Sequence, residues 1–143
     1  MREVLPNQLW IGHAADARDV QTLLNLEIRA VVCLALEEPQ QQFPRDRIFC
    51  RLPLLDGSGN DPSLLQMAVE LVVHLLSEEI PTFIYCGAGM SRSPAITAAA
   101  LAIIRRQPLD TALCELTSGF AHDVSPVLWR DLKKVCGKRE TRM

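Results

Sequence analysis

The sequence has little that would direct the protein to a membrane, a nucleic acid or a metal ion. Its most apolar stretch, residues 95–104, is far shorter than the ~20 residues that a membrane-spanning helix needs. The opening "MREVLPNQLW" has no apolar core of a signal peptide. The net charge of -2 gives no electrostatic reason to expect nucleic acid or a membrane surface as a partner. We therefore expect a cytoplasmic protein.

Cysteine is present but is not arranged for metal binding or for a disulfide framework. The chain has 5 cysteines, an odd number, and they are scattered without metal-ligand spacing. Cys33, Cys50 and Cys114 stand among apolar neighbours, which predicts small core residues. This usage indicates a reducing compartment and leaves Cys86 as the cysteine with a different role.

The 143 residues, 48% of them hydrophobic and 22% charged, suit a single folded domain spanning 1–143. No linker or repeat divides them. Segments predicted as strands ("LWIG", "AVVCLAL", "IFCRLPLL", "TFIY") alternate with segments predicted as helices. The helical segments are "DARDVQTLLNLEI", 62–77, "SPAITAAALAIIRR", a stretch from near Asp110 to before Gly119, and one capped by Ser125. This alternation predicts an α/β fold, a mostly parallel sheet of four to five strands flanked by helices.

The most informative segment is "IYCGAGMSRSPA", which joins a predicted buried strand to a predicted buried helix. Gly87 and Gly89 permit backbone angles that turn successive N–H groups toward one point. The helix N-terminus adds partial positive charge, and Arg92 can bind two oxygens of an anion. The loop residues Gly87, Ala88, Gly89, Met90, Ser91 and Arg92 therefore predict a phosphate-sized site.

Cys86 begins this loop and experiences the same field. A thiolate is favoured there, with a pKa that can fall from about 8.5 to roughly 3.5–7.5. The predicted reaction is transfer of a phosphoryl group to Cys86, followed by hydrolysis. Ser93 follows Arg92, and its hydroxyl is predicted to donate to the sulfur and ease its departure.

The leaving group needs a proton, and one carboxyl can supply it. Asp56, at the end of "RLPLLD" and the start of a glycine-rich loop, is the predicted acid and base. Asp61 is its rival, but its place before Pro62 predicts a helix cap instead.

These segments resemble the dual-specificity branch of the cysteine-based protein tyrosine phosphatases. The resemblance rests on "YCGAGMSRSP", "LPNQLWIGHAADA", "IRAVVCLA" and "LPLLD", and covers nearly the whole chain. It implies a compact catalytic domain with Cys86 as nucleophile, Arg92 as phosphate ligand, Asp56 as acid and base, and Ser93 as helper. It implies no metal and no organic cofactor.

One position departs from the family pattern. The family usually has histidine directly before the cysteine, and here Tyr85 stands in that place. A tyrosine hydroxyl can still hydrogen-bond but carries no positive charge at neutral pH. We therefore predict that Tyr85 modulates Cys86 and leaves the pKa of its thiol higher than in typical relatives.

The loop interior contains no lysine or arginine, which favours phosphotyrosine over a highly anionic inositol head group. The expected partner is thus a phosphorylated protein, bound by a monomer. Three alternatives remain: a phosphate-binding pseudophosphatase, a phosphatase of phospholipid, RNA 5′ phosphate or glucan, and a low-molecular-weight phosphatase or arsenate reductase. The last is disfavoured because its loop lies near the N-terminus.

We interpret His122 and Asp123 as part of an ordinary inter-helix loop. In the family that the chain resembles, the loop before the last helix often lies near the pocket.

Overall fold

A computed structural model describes residues 1–141, and side chains as far as residue 137. Its five-stranded sheet has the order β1-β2-β5-β3-β4. The strands are β1 (Arg2–Leu5), β2 (Leu9–His13), β3 (Ala30–Cys33), β4 (Ile48–Arg51) and β5 (Thr82–Cys86). All neighbours pair in parallel except the edge strand β1, which is antiparallel to β2. The predicted α/β class is confirmed, and only β1 was not predicted.

Six helices accompany the sheet: α1 (Ala14–Arg18), α2 (Val20–Asn25), α3 (Pro62–Ser77), α4 (Arg92–Arg105), α5 (Leu109–Thr117) and α6 (Pro126–Thr141). The bounds of α3 and α5 agree with prediction. Asp61 caps α3 by accepting from the N–H of Ser63 at 2.8 Å, and Ser125 caps α6 by accepting from the N–H of Leu128 at 3.3 Å.

Three predicted elements differ from the structure. Strand β3 ends at Cys33, before the end of the predicted strand "AVVCLAL". The first helix is split, because Asp19 caps a new helix by accepting from the N–H of Thr22 at 3.3 Å. Strand β4 ends at Arg51, before Pro53, which has no N–H to donate to a ladder. The irregular segment that follows leads directly to Asp56.

The core lies between the sheet and α3 and α4. Residues 92–102 of α4 are all buried, as its continuous apolar pattern predicts. Cys33 is buried as expected and Cys50 is half-buried, but Cys114 is exposed and its predicted core role is wrong. Its position on α5 faces solvent while its neighbours Ala112 and Leu116 face inward.

The register of the sheet brings the carboxyl ends of three strands together. His13 of β2 is paired with Cys86, and Cys33 of β3 with Tyr85. Because β5 is central, loops from both sides meet around Cys86. None of the helices in 1–141 has the length and apolar character to cross a membrane.

Candidate active site

Cys86 is the last residue of β5, and Arg92 is the first residue of α4. Both residues are buried, at 2% and 5% exposure. The loop between them borders a cavity of about 120 Å³, lined by Asp56, Cys86, Ala88, Met90, Ser91, Arg92 and Asp123. The structure therefore brings the predicted nucleophile, phosphate ligand and acid to one cavity.

Gly89 is the glycine that the loop conformation requires. Its φ is +74°, and a Cβ there would lie 2.7 Å from the carbonyl oxygen of Gly12. Gly87 does not have a positive φ, so the predicted need for glycine angles at both positions holds only for Gly89. A side chain at 89 would push the loop off β2.

Arg92 is held by the segment that follows β3. Its Nη1 donates to Oε2 of Glu37 at 2.7 Å and to the carbonyl of Leu54 at 3.0 Å. Its Nη2 donates to Oε1 of Glu37. Its Nε is buried without a hydrogen-bond partner. A buried unpaired donor is costly, and a bound anion would satisfy it.

The ion pair between Arg92 and Glu37 favours the charged form of both side chains. The hydrogen bond from Arg92 lowers the pKa of the Glu37 carboxyl, and the hydrogen bond to Glu37 raises the pKa of Arg92. The side chain of Glu37 is 56% exposed while that of Arg92 is 7% exposed. Water therefore screens the carboxylate, and the pair fixes geometry more than it adds stability.

Asp56 is exposed and lies on an irregular segment, yet it is tethered to the loop. The hydroxyl of Ser91 donates to its Oδ1 at 2.6 Å. Asn60 closes the segment by accepting from the N–H of Leu55 and donating to its carbonyl, both at 2.8 Å. This glycine-containing loop is therefore folded back on itself, with Asp56 at the cavity.

The segment between α5 and α6 forms the remaining wall. The N–H of Asp123 donates to the carbonyl of Met90 at 2.8 Å, and the N–H of Ser125 donates to Oγ of Ser91 at 2.9 Å. Asp123 lines the cavity, so the interpretation of this segment as an ordinary loop is wrong. Ser91 thus accepts from Ser125 and donates to Asp56, and it links three segments.

The predicted contact between Ser93 and the sulfur of Cys86 is not formed. The hydroxyl of Ser93 is buried and has no hydrogen-bond partner, so it does not donate to Cys86. Tyr85 is 1% exposed and stacks on Phe83 with ring centroids 5.7 Å apart. Burial raises the pKa of its hydroxyl above that of free tyrosine. Tyr85 and Cys86 project to opposite faces of the sheet.

Sequence reasoning missed Glu37 and the backbone of Ser125. A signal for Glu37 was available, since "EE" follows "AVVCLAL" at the carboxyl end of a parallel strand. Residues at this edge of an α/β sheet commonly build sites. Ser125 acts through its N–H, for which residue type gives no signal.

A Cys-x5-Arg loop between the central strand and a buried helix, with an acid opposite, defines the class of cysteine-based phosphatases. A family model described as "Polymorphic toxin system, DSP-PTPase phosphatase" matches residues 8–106. The chain belongs to this family. The family is one of phosphatases of the dual-specificity and protein tyrosine type.

Individual relatives agree with this assignment. Human dual specificity protein phosphatase 9 is 30% identical over 101 residues, 69% of this chain and 26% of the relative. The chain thus spans about a quarter of that protein's length. Human DUSP28 matches in structure with a TM-score of 0.85 and 21% identity, covering 100% of both chains.

A further structural match carries a different description. The human tyrosine phosphatase-like serine/threonine/tyrosine-interacting protein gives a TM-score of 0.83 and 18% identity, covering 98% of this chain and 97% of that chain. At such identities the structural matches show the fold, and the chemistry must be argued from the site.

Proposed function

We propose that this chain is one catalytic domain that hydrolyses phosphomonoesters through a phosphocysteine on Cys86. The observation that carries the proposal is the shared cavity of Cys86, Arg92 and Asp56, in which Nε of Arg92 is buried and unpaired. A phosphoryl group placed there would accept from that Nε and from the loop N–H groups. The preferred substrate is a phosphorylated protein, with phosphotyrosine favoured, acted on by a cytoplasmic monomer.

The reaction has two steps. The thiolate of Cys86 attacks phosphorus, the Sγ–P bond forms and the P–O ester bond breaks, while Asp56 gives its proton to the leaving oxygen. Asp56 then takes a proton from water as that water attacks phosphorus, and the Sγ–P bond breaks. Phosphate and the Cys86 thiolate result. Ser93 would have to reorient its hydroxyl toward the sulfur to assist this second step.

The test is turnover and trapping under reducing conditions. Wild type should hydrolyse p-nitrophenyl phosphate and a phosphotyrosine peptide, and acid quenching during turnover of ³²P-labelled peptide should leave label on the protein. Cys86→Ser should bind the peptide but give neither turnover nor label. A wild type that binds the peptide and never hydrolyses it would instead be a pseudophosphatase.

Tyr85 is proposed to set the reactivity of Cys86 by lacking the charge that histidine would bring. The rate of alkylation of Cys86 against pH should have a lower midpoint in Tyr85→His than in wild type. Because Tyr85 is buried, circular dichroism must first show that the variant folds. Coincident alkylation curves from two folded proteins would reject this role.

A further inference from the structure

A second and larger cavity adjoins the phosphate cavity. Its volume is about 400 Å³, within the range of ligand sites. Ala88 and Met90 line both cavities, so the signature loop is the wall between them. The loop before α6 borders both as well, with His122 on the larger cavity and Asp123 on the smaller.

The dividing wall is held in place from both sides. Gly89 packs against the backbone of Gly12, where not even a Cβ would fit. The carbonyl of Met90 accepts from the N–H of Asp123 at 2.8 Å. The larger cavity is therefore preformed, which reduces the ordering cost of filling it.

Charged groups in the wall of the larger cavity are already paired. Arg2 donates to the carbonyl of Leu116 at 2.8 Å, and its guanidinium lies 3.8 Å from the ring centroid of Phe120. Asp16 accepts from the N–H of His13 at 3.0 Å and lies 3.4 Å from its Nδ1. Both charged side chains thus already have partners in the wall, and a ligand is left mainly the apolar part of the lining.

The rest of the lining is mainly apolar. It includes Ile11, Ala88, Met90, Pro94, Phe120 and Ala121. Phe120 is 53% exposed and Met90 is 38% exposed, unusually open for side chains of their size. Covering them with an apolar group would remove this surface from water.

We propose that the larger cavity is a specificity subsite for an apolar side chain, such as leucine or phenylalanine, that flanks the phosphorylated residue of a protein substrate. This rests on the proposed function, because the phosphorylated residue must occupy the adjoining cavity. In an extended peptide, residues one or two positions away lie within about 7 Å, which matches cavities that share a wall.

The experiment compares phosphotyrosine peptides that carry leucine, alanine or aspartate at each of the two positions before and after the phosphotyrosine. In wild type, leucine at one of these positions should raise kcat/KM about tenfold over alanine, with aspartate no better than alanine. Ala121→Trp, which fills the cavity from an exposed position, should remove this preference. It should leave turnover of p-nitrophenyl phosphate unchanged, since that substrate does not reach the cavity.

Ser118→Trp is the matched control, because Ser118 is exposed on the same segment and lines neither cavity. It should keep the leucine preference. Two results would overturn the subsite: an equal kcat/KM for leucine and alanine peptides at every position, or a leucine preference that survives Ala121→Trp. In either case, turnover of p-nitrophenyl phosphate would still uphold the proposed function.

A lipid ligand would give a different result. The kcat/KM values of the leucine and alanine peptides would be equal, and Ala121→Trp would slow the hydrolysis of phosphoinositide vesicles. This result would assign the cavity to a lipid and would also overturn the proposal. If wild type hydrolyses none of these substrates, the proposed function fails. Calorimetry then tests the subsite by comparing the affinities of the leucine and alanine peptides.

Discussion

Arg92 and Asp56 line the same cavity, but the chain holds them in different ways. Arg92 is buried at the start of a long helix, and three hydrogen bonds from its guanidinium reach Glu37 and the carbonyl of Leu54. Asp56 is exposed on an irregular segment, and a hydrogen bond from the hydroxyl of Ser91 links its carboxylate to the loop.

The difference corresponds to the role proposed for each residue. A phosphate ligand stabilises charge best when it is fixed before the substrate arrives. An acid and base must exchange protons with a leaving group and then with water, which requires solvent access. The comparison predicts that substitutions of Arg92 and its partners will lower kcat/KM for all substrates. Substitutions of Asp56 and its partner will lower kcat mainly for substrates with poor leaving groups.

Arg92→Lys should have the largest effect. A lysine keeps the charge but cannot donate to Glu37 and to a phosphate with one planar group, so kcat/KM should fall by about 10³-fold for every substrate. Steady-state assays with p-nitrophenyl phosphate and phenyl phosphate would measure it. The exposed Arg51, mutated to lysine, serves as a control, and a loss confined to phenyl phosphate would contradict the assignment.

Asp56→Asn should come next, and its effect should depend on the leaving group. An amide cannot give up the proton, so kcat for phenyl phosphate should fall by about 10²-fold. For p-nitrophenyl phosphate, whose leaving group needs no proton, the loss should be much smaller. An equal loss for both substrates would mean that Asp56 acts elsewhere in the reaction.

Glu37→Gln should loosen Arg92 and lower kcat/KM about tenfold for both substrates. Glu38→Gln is the matched control, since it also removes a charge beside the loop but not a partner of Arg92.

The pKa of the Glu37 carboxyl is lowered in the folded protein. Its contribution to stability is therefore present above the ordinary carboxyl pKa of about 4.3 and is lost as pH falls through the folded value. Chemical denaturation followed by circular dichroism at a series of acidic pH values should therefore show a slightly steeper loss of stability in this low range for wild type than for Glu37→Gln.

Ser91→Ala should have the smallest effect of the four. The substitution removes the hydrogen bond from Ser91 to Asp56. We expect kcat to fall roughly two- to tenfold for phenyl phosphate and not for p-nitrophenyl phosphate. Ser125→Ala keeps the N–H that donates to Ser91 and should leave this leaving-group dependence unchanged. A comparable loss for p-nitrophenyl phosphate in Ser91→Ala would show that Ser91 supports the loop rather than the acid.

Cys86 and Arg92 could be located from sequence because each stands at a strand or helix end in a recognisable pattern. Asp56 could be located because it ends the segment "RLPLLD" and begins a glycine-rich loop. Glu37 could not be assigned in the same way, because its partner lies 55 residues away and only the sheet order brings them together. Ser93 illustrates the opposite case. Its position beside Arg92 predicted a hydrogen bond to the sulfur, but the orientation of its hydroxyl in a buried helix turn depends on packing that sequence does not specify.

The central place of β5 also bears on how the protein folds. This strand pairs with β2, from which about 70 residues separate it, and with β3 on its other side. Contacts between distant segments form slowly, since a long loop must close first. Until β5 inserts, neither half of the sheet has its partner and Cys86 has no loop around it. The surroundings of the Cys86 thiol, including the buried Arg92, are therefore assembled only when the domain is nearly complete.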